Sequence, residues 1–600
     1  MIRKSIWIAG TAAGALALAL GIGLDVAWRA APVAEPLDPE IAALLDPARF
    51  GRSLCGKQGE DRGLFFRPGF QLALAPAAQA ASSPDVPLWE GMGDVSFPIS
   101  TQNAQAQAYF NQGMALTYGF NHWEAIRAFE KARELDPACA ICYWGEALDY
   151  GPNINQPMPS SAVEPAFSAI SKAQALAGSA SEKEQALIAA LATRYAPDPD
   201  ADRAALDAAY ADAMAQVHAR YPDDQAIAAL YAESLMDLTP WDYWERDFQT
   251  PKPHIAQAIT AINGVLEANP DQAGAIHLYI HLTEASVMPE KAEPYADRLA
   301  ELIPAAGHLV HMPGHTYFRI GRYLDSLATN VKAIAADEAY LAQVSGSDIY
   351  RYGYYPHNVH FVLVSAQMAG DPERALEFAR KLDQLIPFEA LAAGPLTQPI
   401  KVAPYFAYLQ FGTADDVAAI PEPPANYPYV KGIWHYVRGS HYAAAGDVAA
   451  ARAEADAIGA LNTEEGLSDL TAEGIPGPDV LRLAELIVRA RADRAAGNLE
   501  AAVAQLRDAV AMQNDLAYTE PPYWYYPVGQ TLGAVLLDMG DAQGAVRAFQ
   551  NSLVAHPNNA WSLFGLLKAQ EAAGDPAAPY TAALLEKATV DPDKITLDQL

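Results

Sequence analysis

The stretch NAQAQAYFNQGMALTYGFNHWEAIRAFEKARELDP, residues 103–137, decides the fold of this chain. Its small residues would let two antiparallel helices approach closely, and its aromatic residues would fill the space between them. Pro137 would end the second helix, because proline has no backbone N–H to continue it. The stretch therefore predicts a helical hairpin whose regular structure begins near Asn103.

Hairpins with the same spacing recur along the chain. The spacing is that of the tetratricopeptide repeat, whose period is about 34 residues, and it is set here by Tyr109, Gly113, Leu116, Ala125, Phe129, Ala132 and Pro137. Further units are predicted to start at Ala140, Gly432 and Tyr526, and Gly497 lies in another. The segment from Ala560 onward is predicted to be an atypical last repeat that caps the array.

From about Asn103 to Ala583 the chain resembles the tetratricopeptide repeat family. This resemblance implies an all-α, right-handed solenoid of helical hairpins. The segments FPISTQNAQAQAYFNQG (97–113), HLYIHLTEAS (277–286) and GHLVHMPGHTYFRIGRY (307–323) are similar to a group of exported bacterial tetratricopeptide proteins with a His-rich groove. The narrower resemblance implies a fold and a compartment, but no reaction.

Composition and the N-terminus set the domain plan. Six hundred residues exceed one compact core, and a net charge of -32 argues against a nucleic-acid or anionic-membrane partner. Arg3 and Lys4 precede the apolar run Ser5–Leu24, which predicts a signal peptide or membrane anchor at 1–24. A Pro/Ala-rich spacer and irregular cap would follow at 25–101, and the solenoid at 102–600. The protein is therefore expected to be periplasmic, either soluble or attached to the inner membrane through residues 5–24.

The histidines are concentrated in one window of the solenoid. Seven of the 13 lie between residues 275 and 361, namely His277, His281, His308, His311, His315, His357 and His360. With unit starts at Ala273, Gly307 and Pro356, all seven fall on positions two, five and nine of a first helix. The resemblance implies that this face lines the concave groove at 273–361, where neighbouring helices pack roughly 8–10 Å apart.

This pattern favours a transition-metal site. Neutral imidazole is a common ligand for such ions, and a set rich in histidine suits copper or zinc. Seven ligands are too many for one tetrahedral ion, so two ions are expected, or one ion with further catalytic and supporting histidines. Glu284 extends the first pair to H-x-x-x-H-x-x-E, which makes iron conceivable, and Arg319 adds a cation. Predicted export favours copper, and Glu284 and Arg319 are candidate catalytic residues.

Two classes of function remain open. One is an exported metalloenzyme, an oxidase, oxygenase or hydrolase, acting on a small molecule in the groove. The other is a non-catalytic scaffold that binds a peptide or protein partner there. Recognition of an anion by protonated histidines and simple packing are further alternatives, and neither the reaction nor the oligomeric state follows from the sequence.

Other motifs are less specific. Cys139 and Cys142 form a C-x-x-C pair that could be a disulfide, a metal site or ordinary helix packing. Residues 341–355 could fold over the histidines as a lid, and the loop containing Asn153 and Asn155 could do the same from another side. The aromatic clusters at 241–244 and 523–526 are expected to pack between repeats or to line a substrate groove.

Overall fold

The computed structural model describes residues 86–344 and 350–600. These residues form helices and turns, with only two isolated β-bridges among them. Consecutive helices pack against each other as hairpins. The fold is an all-α solenoid of tetratricopeptide type, as the repeat predicts.

The N-terminal helices are α1 (Ala104–Tyr118), α2 (His122–Leu135), α3 (Ala140–Tyr150), α4 (Val163–Leu176), α5 (Glu182–Leu191), α6 (Arg203–Arg220), α7 (Gln225–Met236) and α8 (Pro253–Ala268). The histidine window contains α9 (Ala273–Glu284), α10 (Glu293–Leu302), α11 (Gly307–His311), α12 (Pro313–Arg319), α13 (Tyr323–Leu341) and α14 (Tyr355–Met368).

The C-terminal part consists of α15 (Pro372–Leu385), α16 (Thr397–Phe411), α17 (Ala414–Ala419), α18 (Pro428–Ala444), α19 (Val448–Leu461), α20 (Ser468–Ala472), α21 (Gly477–Ala495), α22 (Leu499–Asp515), α23 (Val528–Asp538), α24 (Ala542–Ala555), α25 (Ala560–Ala573) and α26 (Ala578–Ala588).

The first hairpin forms for the reasons its sequence suggests. The side chain of Asn103 caps α1 by accepting hydrogen bonds from the backbone N–H groups of the first turn. Phe129 of α2 fills the gap to both neighbouring helices, so a Cβ on Gly113 or Gly145 would lie 2.5 or 2.6 Å from its ring. Only glycine allows this approach. Helix α2 ends at Leu135, before Pro137 as predicted.

The predicted unit starts hold in the histidine window. Helices α9 and α11 begin at Ala273 and Gly307, and α14 begins at Tyr355, one residue before the expected start. The helix is interrupted between α11 and α12, where Pro313 lacks a backbone N–H. Further along, α18 begins at Pro428 rather than Gly432, since proline suits a first helical turn.

The C-terminal repeats pack against the middle of the chain. The indole N–H of Trp561 donates to the carbonyl oxygen of Gln367 over 2.7 Å, and the hydroxyl of Tyr525 donates to that of Ala403 over 3.1 Å. The loop between α22 and α23, residues 516–527, lies alongside the histidine window, since its Tyr518 and Tyr525 rings lie 5.2 Å from the guanidinium of Arg319 and 6.1 Å from the ring of His360.

The N-terminal predictions are covered only in part. Residues 86–101 contain no helix and pack on α1, where the backbone N–H of Trp89 donates to Gln112 over 2.8 Å. The predicted signal or anchor at 1–24 and the spacer up to residue 85, which contains the third cysteine of the chain, Cys55, lie outside the described residues. Within the part of the chain that is described, no helix is long and apolar enough to cross a membrane. Cys139 and Cys142 form a buried disulfide at the start of α3.

Candidate functional site

Six of the seven predicted histidines converge in two groups of three. We call His277, His281 and His308 cluster A, and His311, His315 and His357 cluster B. Within each cluster, one potential ligand atom from every residue lies within 4.8 Å of the others. All of them are buried except His357, which is half-buried. The clusters therefore lie inside the packed helices.

The two clusters are built in the same way, one repeat apart. Cluster A takes a pair of histidines one turn apart on α9 and its third ring from the first turn of α11. Cluster B takes a pair across the α11–α12 junction and its third ring from the first turn of α14. Each cluster thus combines positions five and nine of one unit with position two of the next.

His360, the seventh histidine, belongs to neither cluster. It occupies position five of the third unit, where position nine is Val364 and cannot complete a pair. Its ring lies 6.1 Å from that of Tyr525, and its buried Nε2 has no hydrogen-bond partner among the described residues. Burial lowers its pKa to about 3.

Hydrogen bonds to the outer ring nitrogens determine the protonation of cluster A. The Nδ1 of His277 lies 2.6 Å from the carbonyl oxygen of Tyr118, and the Nδ1 of His281 lies 2.7 Å from Oε1 of Glu284. A carbonyl and a carboxylate can only accept, so both Nδ1 atoms carry the proton in the neutral rings. The two Nε2 atoms lie 3.0 Å apart and face each other with lone pairs.

Cluster B repeats this arrangement with different partners. The Nδ1 of His311 lies 2.6 Å from Oδ1 of Asn330, whose amide nitrogen donates to the carbonyl oxygen of Ser326. The Nδ1 of His315 lies 2.5 Å from Oε2 of Glu284. The Nε2 atoms of His311 and His315 again face each other, 2.7 Å apart, and the Nε2 of His357 lies 3.5 Å from that of His315.

Glu284 therefore links the two clusters, with one carboxylate oxygen on a histidine of each. It is buried, and burial alone would raise its pKa. The positive charge that His315 and His281 can carry outweighs burial and lowers the pKa of Glu284 to about 2. The same attraction raises the pKa of His315 against its own burial. In contrast, burial lowers the pKa of His277, His281 and His311, and neighbouring histidine charges add to the effect for His277 and His311.

Aromatic rings enclose both clusters. The ring of Phe120 lies 4.3 Å from His277 and stacks on His308 at 5.7 Å. Phe361 serves cluster B in the same way, at 4.7 Å from His315 and 5.0 Å from His357. Such walls keep the surroundings of the nitrogen atoms apolar and restrict access of solvent.

The structure places the candidate Arg319 beside the clusters rather than within them. Its Nε donates to the carbonyl oxygen of Glu284 over 2.7 Å, and its Nη2 donates to that of Ser286 over 3.1 Å. The guanidinium also lies over the ring of Tyr518 at 5.2 Å. Arg319 therefore holds the C-terminal end of α9, where the linking carboxylate is located.

The loop at 516–527 contributes a carboxylate that the sequence reasoning missed. Oε1 of Glu520 accepts a hydrogen bond from the hydroxyl of Tyr518 over 2.5 Å, and its buried Oε2 has no hydrogen-bond partner among the described residues. Burial raises the pKa of Glu520 to about 7, although the charges of His315 and Arg319 oppose this. No motif marks this residue, since only tertiary packing brings it near the histidines. Asn330 and Phe120 were missed for the same reason.

Part of the predicted lid and part of the first predicted aromatic cluster contact cluster A. Residues 345–349 fall outside the described residues, whereas residues 350–354 form a turn of π-helix before α14. The ring of Tyr354 from this turn packs 4.5 Å from His308. Trp241, from the first predicted aromatic cluster, packs 5.0 Å from His281. In the other predicted covering loop, the amide of Asn153 lies 3.2 Å from Nε2 of His122.

Comparisons with known proteins add little about function. The sequence matches no protein-family model and no curated relative. Among solved structures, a human IFIT1 dimer with m7Gppp-AAAA has 12% identity and a TM-score of 0.29, over 82% of this chain and 90% of that one. Yeast Tom70 has 11% identity and a TM-score of 0.26, over 81% and 93%. The TPR domain of P58(IPK) has 12% identity and a TM-score of 0.20, over 78% and 99%. Similarities this low carry no argument about ligands or partners.

Proposed function

We propose that this protein binds two transition-metal ions, one in each histidine cluster. The facing Nε2 atoms carry this proposal. Four histidines direct an Nδ1–H to an oxygen that only accepts, and their Nε2 lone pairs meet in two pairs, 3.0 and 2.7 Å apart. Lone pairs at such distances repel each other unless a cation lies between them. That cation is either a proton, which the raised pKa of His315 favours in cluster B, or a metal ion. Both nitrogens, together with the third histidine of the cluster, would hold a metal ion in place of that proton.

The donor set favours copper or zinc. Each cluster offers three imidazoles, which leaves a position open on a four-coordinate ion. Both oxygens of Glu284 are engaged by ligand histidines, so the carboxylate supports the ligands and is not available as one itself. This arrangement weakens the case for iron, which would need Glu284 in the coordination sphere. Predicted export continues to favour copper.

The reaction class we propose is that of a metal-dependent oxidase, oxygenase or hydrolase in the bacterial periplasm. When bound, an ion with an open position would activate water or dioxygen. The residues of the chain would orient the ligands through Glu284, Asn330 and the carbonyl of Tyr118. The rings of Phe120 and Phe361 would exclude bulk water from the nitrogen atoms.

A scaffold that binds a peptide or protein is the second candidate function. It is favoured by the solenoid fold and by an open cavity of about 690 Å³ between α6, α7 and α8. His218, Tyr231 and Gln257 contribute polar groups to its lining. The sequence predicts that such a partner would bind in the histidine groove, whereas the histidines of the two clusters are buried or half-buried. A scaffold would therefore use this separate surface, and its binding would survive removal of metal.

The first test is elemental analysis of the full chain by mass spectrometry. The protein should be purified without a histidine tag and without chelator, and then incubated with Cu²⁺ or Zn²⁺ before desalting. We expect about two equivalents of bound metal, one for each cluster. A chain that retains none after incubation with either ion would overturn the proposal, and the search would turn to a protein partner.

A further inference from the structure

We propose that Glu284 is a shared positioning residue, which holds one histidine of each cluster in the tautomer that can bind a metal. This inference rests on the proposed function. It adds that the metal affinity of both sites depends on one carboxylate, and it predicts how that affinity changes when Glu284 is substituted.

The geometry explains why a carboxylate is needed. Oε1 of Glu284 lies 2.7 Å from Nδ1 of His281, and Oε2 lies 2.5 Å from Nδ1 of His315. Each ring can present a lone pair from Nε2 only if its proton is on Nδ1. A group that serves both rings must therefore accept two hydrogen bonds and donate none. Among side chains of this size, only an ionised glutamate does so.

The remaining contacts hold Glu284 in this position. The residue is buried at the last position of α9, and Arg319 binds the backbone carbonyls of residues 284 and 286. Each of the other two paired histidines has its own acceptor, the Tyr118 carbonyl for His277 and the Asn330 side chain for His311. In each pair, the Nδ1–H of one histidine thus has a separate hydrogen-bond acceptor, and the Nδ1–H of the other is accepted by Glu284.

A glutamine at this position can accept a hydrogen bond from only one of the two histidines, His281 or His315. Glutamine has nearly the same shape, with one accepting oxygen and one donating amide group. The oxygen can keep one histidine in the binding tautomer. The amide group faces the other histidine and favours a lone pair on its Nδ1, which moves the proton to Nε2 and blocks the ligand atom. Since the amide can rotate, either cluster can be the one that is kept, but not both together.

The experiment is a metal titration of the full chain and its Glu284→Gln variant, with Zn²⁺ in competition with a chromophoric chelator. We expect the wild type to bind two equivalents tightly. The variant should bind its first equivalent with little change and its second about 10–100-fold more weakly, the usual cost of losing a supporting contact. Nitrogen-15 NMR of the metal-free variant should show a new histidine with its proton on Nε2, which a purely structural role would not produce.

Double variants test whether either cluster can be the one retained. Glu284→Gln combined with His277→Ala should keep one tight site in cluster B. Glu284→Gln combined with His311→Ala should keep one tight site in cluster A. Glu284→Asp, which keeps both accepting oxygens on a shorter side chain, serves as the variant to titrate if the glutamine variant does not fold. In that case we expect the second equivalent to bind more tightly to the aspartate variant than to Glu284→Ala.

The outcomes separate the two proposals. A wild type that binds no metal overturns both of them. If the wild type binds two equivalents tightly, two results with Glu284→Gln would overturn the tautomer inference alone. One is unchanged binding of both equivalents, and the other is equal weakening of both. Equal binding by the aspartate and alanine variants would overturn it as well.

Discussion

Clusters A and B use the same three repeat positions but differ in what surrounds them. In cluster A, the outer support of the first histidine is a backbone carbonyl, that of Tyr118. In cluster B the equivalent support is the side chain of Asn330. The third ring of cluster A, His308, is buried and has no hydrogen-bond partner on either nitrogen among the described residues, whereas His357 of cluster B is half-buried. The repeat thus places the same three ligands in both clusters. The contacts around those ligands are not repeated, and they make the two sites different.

This difference suggests that the two metal sites differ in how easily they are reached from solvent. Cluster A is enclosed by Phe120 and Tyr354, so we expect it to release a bound ion more slowly than cluster B. Cluster B has the half-buried ring and lies near Glu520, whose Oε2 is buried without a hydrogen-bond partner in the described part of the chain. Cluster B is therefore the site that a small molecule would reach more easily.

The strongest test removes one pair of ligands at a time. His277→Ala with His281→Ala should abolish binding in cluster A, and His311→Ala with His315→Ala should abolish it in cluster B. Each double variant should retain about one of two equivalents in elemental analysis, because three ligands cannot be reduced to one without losing the site. His360→Ala is the matched control and should retain both. Loss of all metal from either double variant would show that the clusters are not independent sites.

A smaller effect is expected when one support is removed. Asn330→Ala should weaken zinc binding in cluster B by about 10–100-fold and leave cluster A unchanged, because only His311 loses its acceptor. Titration of the variant against a chromophoric chelator measures both affinities. Gly314→Ala is a second route to the same result, since a Cβ there would lie 2.4 Å from the amide nitrogen of Asn330. Weakening of both sites would contradict the separate supports.

The two clusters should also differ in how fast they release metal. Added EDTA should remove the ion of cluster B several times faster than that of cluster A, because His357 is half-buried and His308 is enclosed. Stopped-flow loss of metal from the two double-alanine variants measures each rate alone. Equal rates would mean that the enclosure of cluster A does not control access.

The smallest expected effect on metal accompanies a change in the first hairpin. Gly113→Ala would place a Cβ 2.5 Å from the ring of Phe129, and overpacking of this kind costs about 1–3 kcal/mol of stability. The thermal midpoint should fall while the wild-type number of metal equivalents is retained. A parallel loss of metal would show that the clusters depend on the packing of the first repeat.

Much of the fold could be predicted because its rules are local. Ala140, Ala273 and Gly307 were predicted as unit starts and are the first residues of their helices. Small residues such as Gly113 mark close helix contacts in any hairpin of this type. The positions of the seven histidines within their units also followed from the repeat alone. The predictions of bound metal and of export remain predictions.

The arrangement of the site could be predicted only in part. Positions two, five and nine indicated a common face, but not that position two joins the pair of the preceding unit. That pairing depends on how far neighbouring first helices are displaced along each other. Glu284 was singled out as a possible ligand or catalytic group, whereas the structure places it behind two ligand histidines. Glu520 and Asn330 had no signal, because neither belongs to a motif.

The sequence by itself determined the helical repeat, its phase and the residues that occupy each position, because helix formation and hairpin packing depend on side chains within one or two turns. Only the tertiary structure decided that six histidines divide into two clusters, that one carboxylate serves both, and that a distant loop brings a second carboxylate close. These features depend on the rotation and displacement of whole helices. Many weak packing contacts set those quantities together, and no short pattern in the sequence encodes them.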